Sequence, residues 1–232
     1  MRLLLSGIVG STAYGLAGPG SDIDRLGVFA APTVAFHGLH PPRESIVTTN
    51  PDRTLHEAAK WCRLALGGNP TATELVWLPD DLYEVRTELG DRLIGIRSAF
   101  LSAPRVRSAY LGYASQQFRR LESRGDGSFS ADTRRRTAKH ARHLARLVHQ
   151  GRHLYATGEL PVRLADPGFF RDFGDRVAAG DLDRARALVA GAERDFDVIR
   201  TPLPDEPDEA TVERWLLDVR AAGLTWHRDT SE

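Results

Sequence analysis

A short apolar run that stops at a glycine-serine pair constrains this chain most. Residues 3–9 are too few for a packed helix and read as a buried strand. Gly10-Ser11 ends the run, residues 12–16 suffice for one helical turn, and Gly18-Pro19-Gly20-Ser21 is turn chemistry. A second strand is expected over residues 23–30, entered through Asp22-Ile23-Asp24. Two strands this close together commit the start of the chain to a sheet.

A weaker strand is expected over residues 44–49, followed by Asn50-Pro51-Asp52. Thr54 reads as an N-cap with Glu57 completing a capping box, and the helix then runs to Leu66 and stops at Gly67-Gly68. Asn69-Pro70 opens another helix through Trp77. The second half reads as helices over 87–102, 105–123, 131–157, 181–199 and 208–222. Breaks fall at Pro104, Gly125-Asp126-Gly127, residues 158–161, Pro167-Gly168, and Pro202 with Pro204. The expected fold is α+β: a small strand-containing domain over 1–103, then a helical domain over 104–232.

With 41% hydrophobic and 27% charged residues, the chain can bury a core, which excludes disorder throughout. One cysteine, Cys62, excludes an intramolecular disulfide and a cysteine-built zinc site; in an apolar helix it reads as a buried thiol. No stretch reaches the ~18 apolar residues of a membrane span. The apolar run after Met1 is too short for a signal peptide, so the expectation is a soluble cytoplasmic protein with no membrane partner.

The net charge is zero, with 31 basic and 31 acidic residues, but it is unevenly laid out. Residues 104–163 carry 13 basic and 4 acidic side chains, and residues 164–232 carry 9 and 16. The basic block is a candidate anion-binding surface; the plainer reading is a solvated helix face paired with the acidic tail. Lys60 and Lys139 are the only lysines.

The stretch that carries chemistry is Gly10-Ser11 with Tyr14-Gly15-Leu16, then Ser21-Asp22-Ile23-Asp24. A strand ending in Gly-Ser presents backbone N–H groups and a hydroxyl to an anion, and Gly10 lets a phosphate approach the main chain. On a strand, Asp22 and Asp24 point to the same side. Two like charges this close favour a cation between them, and hard oxygen ligands suit Mg²⁺ held jointly with substrate phosphates. A phosphate cradle beside such a pair is what two-metal phosphoryl transfer requires.

This combination resembles the nucleotidyltransferase signature of the DNA polymerase beta superfamily. The flanking residues are similar to its RNA-repair-pathway polymerase-beta family. Leu66-Gly67-Gly68-Asn69-Pro70 with Glu74-Leu75 resembles that family's second signature, and Lys139, His143, Arg146-Leu147 with Gly158-Glu159-Leu160 its helical-domain motif. The tail around Pro202-Leu203-Pro204, Pro207-Asp208 and Trp215-Leu216 is also similar.

The resemblance implies a nucleotidyltransferase that moves a nucleoside monophosphate from an NTP, ATP favoured, to an acceptor, with an RNA end favoured, and releases pyrophosphate. It implies two Mg²⁺ or Mn²⁺ ions. Gly10 and Ser11 would bind the triphosphate, Asp22 and Asp24 the metals, and a third carboxylate would help deprotonate the acceptor hydroxyl. Asp52 is the first candidate for that carboxylate and Glu44 the competitor. The family arginine two places after Asp-x-Asp is displaced: Arg25 comes one residue early, which puts it on the opposite strand face.

Lys60 reads as a phosphate contact or as a surface lysine paired with Glu57 or Glu74. Lys139, His143 and Arg146 share one helix face by spacing, either closing over a nucleotide or solvated. Tyr14 is a candidate for stacking on a base or for packing against the sheet. Trp77, Trp215 and Trp226 read as core or interface residues, and Asn69 as a cap. The rival readings are a catalytically silent, antitoxin-like binding module and a basic RNA-binding protein.

Overall fold

A computed structural model describes residues 1–122 and 131–226. In chain order its elements are β1 (Arg2–Val9), α1 (Gly10–Tyr14), β2 (Asp24–Ala30), β3 (Ser45–Thr49), β4 (Asp52–Glu57), α2 (Ala58–Leu66), α3 (Pro70–Thr73), β5 (Tyr83–Arg86), α4 (Glu88–Gly95), α5 (Ala103–Glu122), α6 (Ala131–Thr157), α7 (Pro167–Ala178), α8 (Leu182–Val198) and α9 (Glu209–Gly223). The fold is α+β. The chain forms two compact units, one of residues 1–101 with 207–232 and one of residues 102–206.

The first unit is built on a five-stranded sheet in the order β3-β4-β2-β1-β5. It is mixed: β2 and β4 are parallel, and the other neighbours are antiparallel. Leu4, Leu5, Leu26, Val28 and Leu55 fill its core with Trp61 of α2, whose ring stands edge-on to Phe100 at 5.1 Å. The helix expected from Thr54 does not start there. Residues 52–57 form β4, and α2 starts after Glu57, whose carboxylate accepts from the Ala59 N–H at 2.8 Å. The capping-box pattern is local, whereas residues 52–57 are paired on both sides, by β3 and β2, and tertiary pairing overrides it. The four-residue edge strand β5 is too short for alternation to reveal it.

The last helix also belongs to this unit. Trp215 Nε1 donates to Leu89 O at 2.9 Å, and the Asp208 N–H donates to Ala99 O at 2.9 Å. The division into 1–103 and 104–232 therefore assigns α9 to the wrong side. Asp208 caps a fresh helix after the Pro202 and Pro204 break, and its apolar stripe, Val212, Trp215 and Val219, is buried. Trp77 and Trp226 are half-buried, stacked by Arg97 and Arg2.

The second unit consists of α5 to α8, packed around Tyr110, Leu144, Leu147, Phe170, Phe173 and Phe196. Helix α7 lies where only a break was expected. Asp166 caps it by accepting from the Phe169 N–H at 3.1 Å, and Pro167 takes the first helical position, so the same dipeptide that ends one segment starts the next. The Gly125-Asp126-Gly127 break lies outside the described residues. Among the described residues no helix is long and apolar enough to cross a membrane.

Candidate active site

The strand ends of the first unit open onto a cleft of about 490 Å³. Its walls include Gly10, Tyr14, Asp24, Asp52 and Lys60, five of the residues singled out by sequence. Chain geometry explains their meeting. β1 leaves the sheet at Val9, which pairs with Asp24, so Asp24 faces the turn that begins at Gly10. Gly10 adopts φ +68, and a Cβ there would stand 2.2 Å from Asp24 Oδ2. Only glycine lets this carboxylate lie against the main chain. The Asn50-Pro51 turn closes the β3–β4 hairpin and makes Asp52 the first residue of β4. Arg25 of β2 is in register with Arg53 of β4, so Asp24 and Asp52 each sit one step before the same rung of a parallel pair.

Glu44, the competing carboxylate, is not on the cleft wall. Its side chain is 60% exposed, Arg63 holds it, and Lys60 Nζ stands 3.9 Å away. Lys60 is thus partnered by Glu44 rather than by Glu57 or Glu74, while still lining the cleft.

Asp22 differs from expectation. It is exposed, lies outside the cleft wall and precedes β2, which starts at Asp24. Strand alternation does not reach it, because β1 has already turned away and residues 18–21 form a turn closed by Ser21 N–H to Gly18 O at 3.0 Å. Ser11 is half-buried in α1 and outside the wall. Tyr14 is buried, and its hydroxyl donates to Glu74 Oε2 at 2.7 Å. That bond ties α1 to the segment after Asn69, whose side chain caps α3 by accepting from the Thr71 and Ala72 N–H groups at 3.0 Å. Arg25 donates to Glu84 of β5 at 2.8 Å and 3.0 Å.

Sequence reasoning missed His56, Thr54 and Thr71 on the cleft wall. The β4 alternation Asp52, Thr54, His56 was the available signal, hidden by the helix reading. His56 Nδ1 is 2.8 Å from Ser45 Oγ, and burial, then Lys60, lowers its pKa.

Asp24, Asp52 and Thr54 line the cleft with oxygen-bearing side chains, the ligand type that a hard divalent cation takes. Among the described residues no group of three or more His, Cys, Asp or Glu is arranged to hold a metal ion. Mg²⁺ is ordinarily held by one or two carboxylates with water and substrate phosphates, a mode that needs no cage made wholly of protein.

Lys139, His143 and Arg146 belong to the second unit and do not form one open stripe. Lys139 is exposed, whereas Arg146 is 2% exposed. Arg146 Nη1 donates to Gln150 Oε1 at 2.5 Å, and Nη2 lies 3.1 Å from His143 Nδ1. Gln150 in turn donates to Pro161 O at 2.9 Å, so this arginine anchors α6 to the segment behind it. Burial, then the Arg146 charge, pushes the His143 pKa down to about 3. His143 is therefore neutral near pH 7 and adds no charge to a phosphate site.

The same shift gives a pH dependence. The folded pKa lies below the unfolded 6.5, so an unfolding chain takes up a proton that the folded one refuses. The stabilisation is complete above pH 6.5 and is lost as pH falls towards 3, by at most ~1.4 kcal/mol per unit. Urea unfolding of His143→Gln should show a flatter pH dependence than wild type between pH 6.5 and about 5, above most carboxylate titration.

A family model, RlaP, the RNA repair pathway DNA polymerase beta family, matches residues 1–167. No curated protein matches the chain.

Proposed function

This chain belongs to the RNA repair pathway DNA polymerase beta family, and from that membership we propose that it is a metal-dependent nucleotidyltransferase acting on an RNA end. The observation that carries the reading is the meeting of Asp24 and Asp52 in one cleft, with Gly10 against the first carboxylate.

In this reading the Gly10 main chain and Ser11 receive the triphosphate of an NTP, ATP favoured, and Lys60 adds a point charge. Asp24 and Asp52, joined by Asp22 from the entering loop, hold two divalent cations. When bound, Mg²⁺ or Mn²⁺ supplies charge neutralisation at the α-phosphate and on the leaving oxygen. Asp52 accepts the proton of the acceptor hydroxyl. The hydroxyl oxygen bonds to the α-phosphorus as the α–β phosphoanhydride breaks, and pyrophosphate leaves. Catalysis is mainly positioning and electrostatics. Tyr14 acts by holding α1 to Glu74 rather than by stacking on a base. Lys139 is the exposed member of the helical-domain set.

The test is incubation of the protein with each α-labelled NTP, Mg²⁺ or Mn²⁺, and RNA bearing defined ends. One-nucleotide extension of the RNA with stoichiometric pyrophosphate is the expected result. Absence of label transfer from every NTP, to RNA and to cell extract alike, overturns the proposal.

A further inference from the structure

The second unit contains a groove that the nucleotidyltransferase reading does not use. It encloses about 470 Å³ between α6 and α7. Arg134, Arg135, Ala138 and Arg142 of α6 line one side, and Asp175 and Ala178 of α7 the other. Positions 134, 138 and 142 repeat every four residues, and 135 adjoins them, so the three guanidinium groups share a face.

These arginines differ from six others of the second unit. Arg107, Arg136, Arg152, Arg176, Arg184 and Arg186 of the same unit all pair with carboxylates. No ion pair or hydrogen bond among the described residues engages the side chains of Arg134, Arg135 or Arg142. The groove also has a built wall. A Cβ on Gly174 would stand 2.6 Å from Arg142 Cγ and 2.8 Å from Ala138 O, so glycine lets α7 press onto α6 and seats the Arg142 stem.

Arg134 and Arg142 are eight residues apart, about 12 Å along the helix. One small anion cannot reach both ends. A nucleic-acid strand, with a phosphate every ~3.4 Å of rise in a duplex, repeats its charges and so spans the whole row. We propose that the α6–α7 groove binds the phosphodiester backbone of a nucleic acid, with Arg134, Arg135 and Arg142 as phosphate contacts and Asp175 as the opposing charge that limits affinity. The proposal goes beyond nucleotidyl transfer; only its preference for RNA as the polymer rests on that reading.

The test is fluorescence anisotropy of the full chain with a labelled single-stranded RNA, and with DNA of the same sequence, over a salt series. Arg134→Gln/Arg135→Gln changes two exposed side chains and leaves the Arg142 packing intact. It should weaken binding severalfold at low salt and reduce the slope of log K against log salt by about 1.4, two contacts at ~0.7 each for a single strand. Asp175→Asn should tighten binding, an effect that a damaged fold does not produce. The polymer bound more tightly identifies the source of the backbone. Wild-type affinity and slope in the double variant, or unchanged affinity in Asp175→Asn, overturns the groove. Competition by poly-glutamate as strong as by RNA also overturns it, in favour of an acidic protein partner. Binding is read without NTP or divalent cation, so failure of the catalytic reading leaves this result standing and failure here leaves catalysis standing.

Discussion

Arg220→Met is expected to cost ~3–5 kcal/mol of stability, the range for breaking one side of a buried ion pair. Arg220 Nη1 and Nη2 donate to Glu57 Oε1 and Oε2 at 2.6 Å and 3.0 Å, and the guanidinium lies 4.2 Å from the Phe36 ring centroid. Glu57 is 3% exposed, and the Arg220 side chain is 19% exposed. Methionine keeps an apolar stem near Phe36 but leaves the Glu57 carboxylate with the Ala59 N–H and little else to offset its desolvation. Glu57→Gln should cost a similar amount by stranding the guanidinium. The double variant should lose much less than the sum, because neither charge is then buried alone. Urea unfolding of the four proteins measures this coupling. A loss near ~0.5 kcal/mol in each single variant would place the pair with ordinary surface bridges and refute the argument.

Cys62 reports the same event locally. It is buried in α2, and burial pushes its thiol up to about 12. It should resist thiol reagents in the native protein and react faster in Arg220→Met, where α9 is less firmly held to α2. The ion pair matters to the cleft because Glu57 joins β4, which carries Asp52 and His56, to α2, which carries Lys60.

Residues whose placement follows from adjacent sequence were legible, and those placed by distant partners were not. Gly10, Asp24 and the Asn69 cap follow from local turn and strand chemistry. Asp52 was legible as a candidate, but its strand was not, because β4 exists through pairing with β2 and β3 while its own residues also satisfy a capping box. Asp22 shows the opposite error: alternation was extended two residues past the point where β1 offers a partner. The Lys139, His143 and Arg146 spacing correctly implied one helix, but spacing does not tell an outer face from one turned inward. α9 was read correctly as a helix and wrongly as part of the helical domain, since its anchors, Leu89, Ala99 and Glu57, lie more than a hundred residues away in sequence.

That distinction makes the carboxylates the sharpest test of the site. Asp24→Asn and Asp52→Asn should each lower nucleotidyl transfer by at least on the order of 10²–10³-fold, the scale for losing one preorganised electrostatic partner of the transition state. Neither should unfold the protein. Asparagine is isosteric with aspartate beside Gly10, and Asp52 opens β4 at an exposed position. The two should differ in how they recover. Excess Mn²⁺ should partly restore Asp24→Asn, where the deficit is affinity for a cation. It should restore Asp52→Asn less, because that variant also lacks the acceptor for the attacking hydroxyl's proton and should show a shifted pH profile. Glu44→Gln is the control, since Glu44 is held by Arg63 outside the cleft wall. It should retain transfer close to wild type. A loss in Glu44→Gln as deep as in Asp52→Asn would mean that the third carboxylate comes from the β3 side of the hairpin, and the assignment of the cleft to Asp24 and Asp52 would fail.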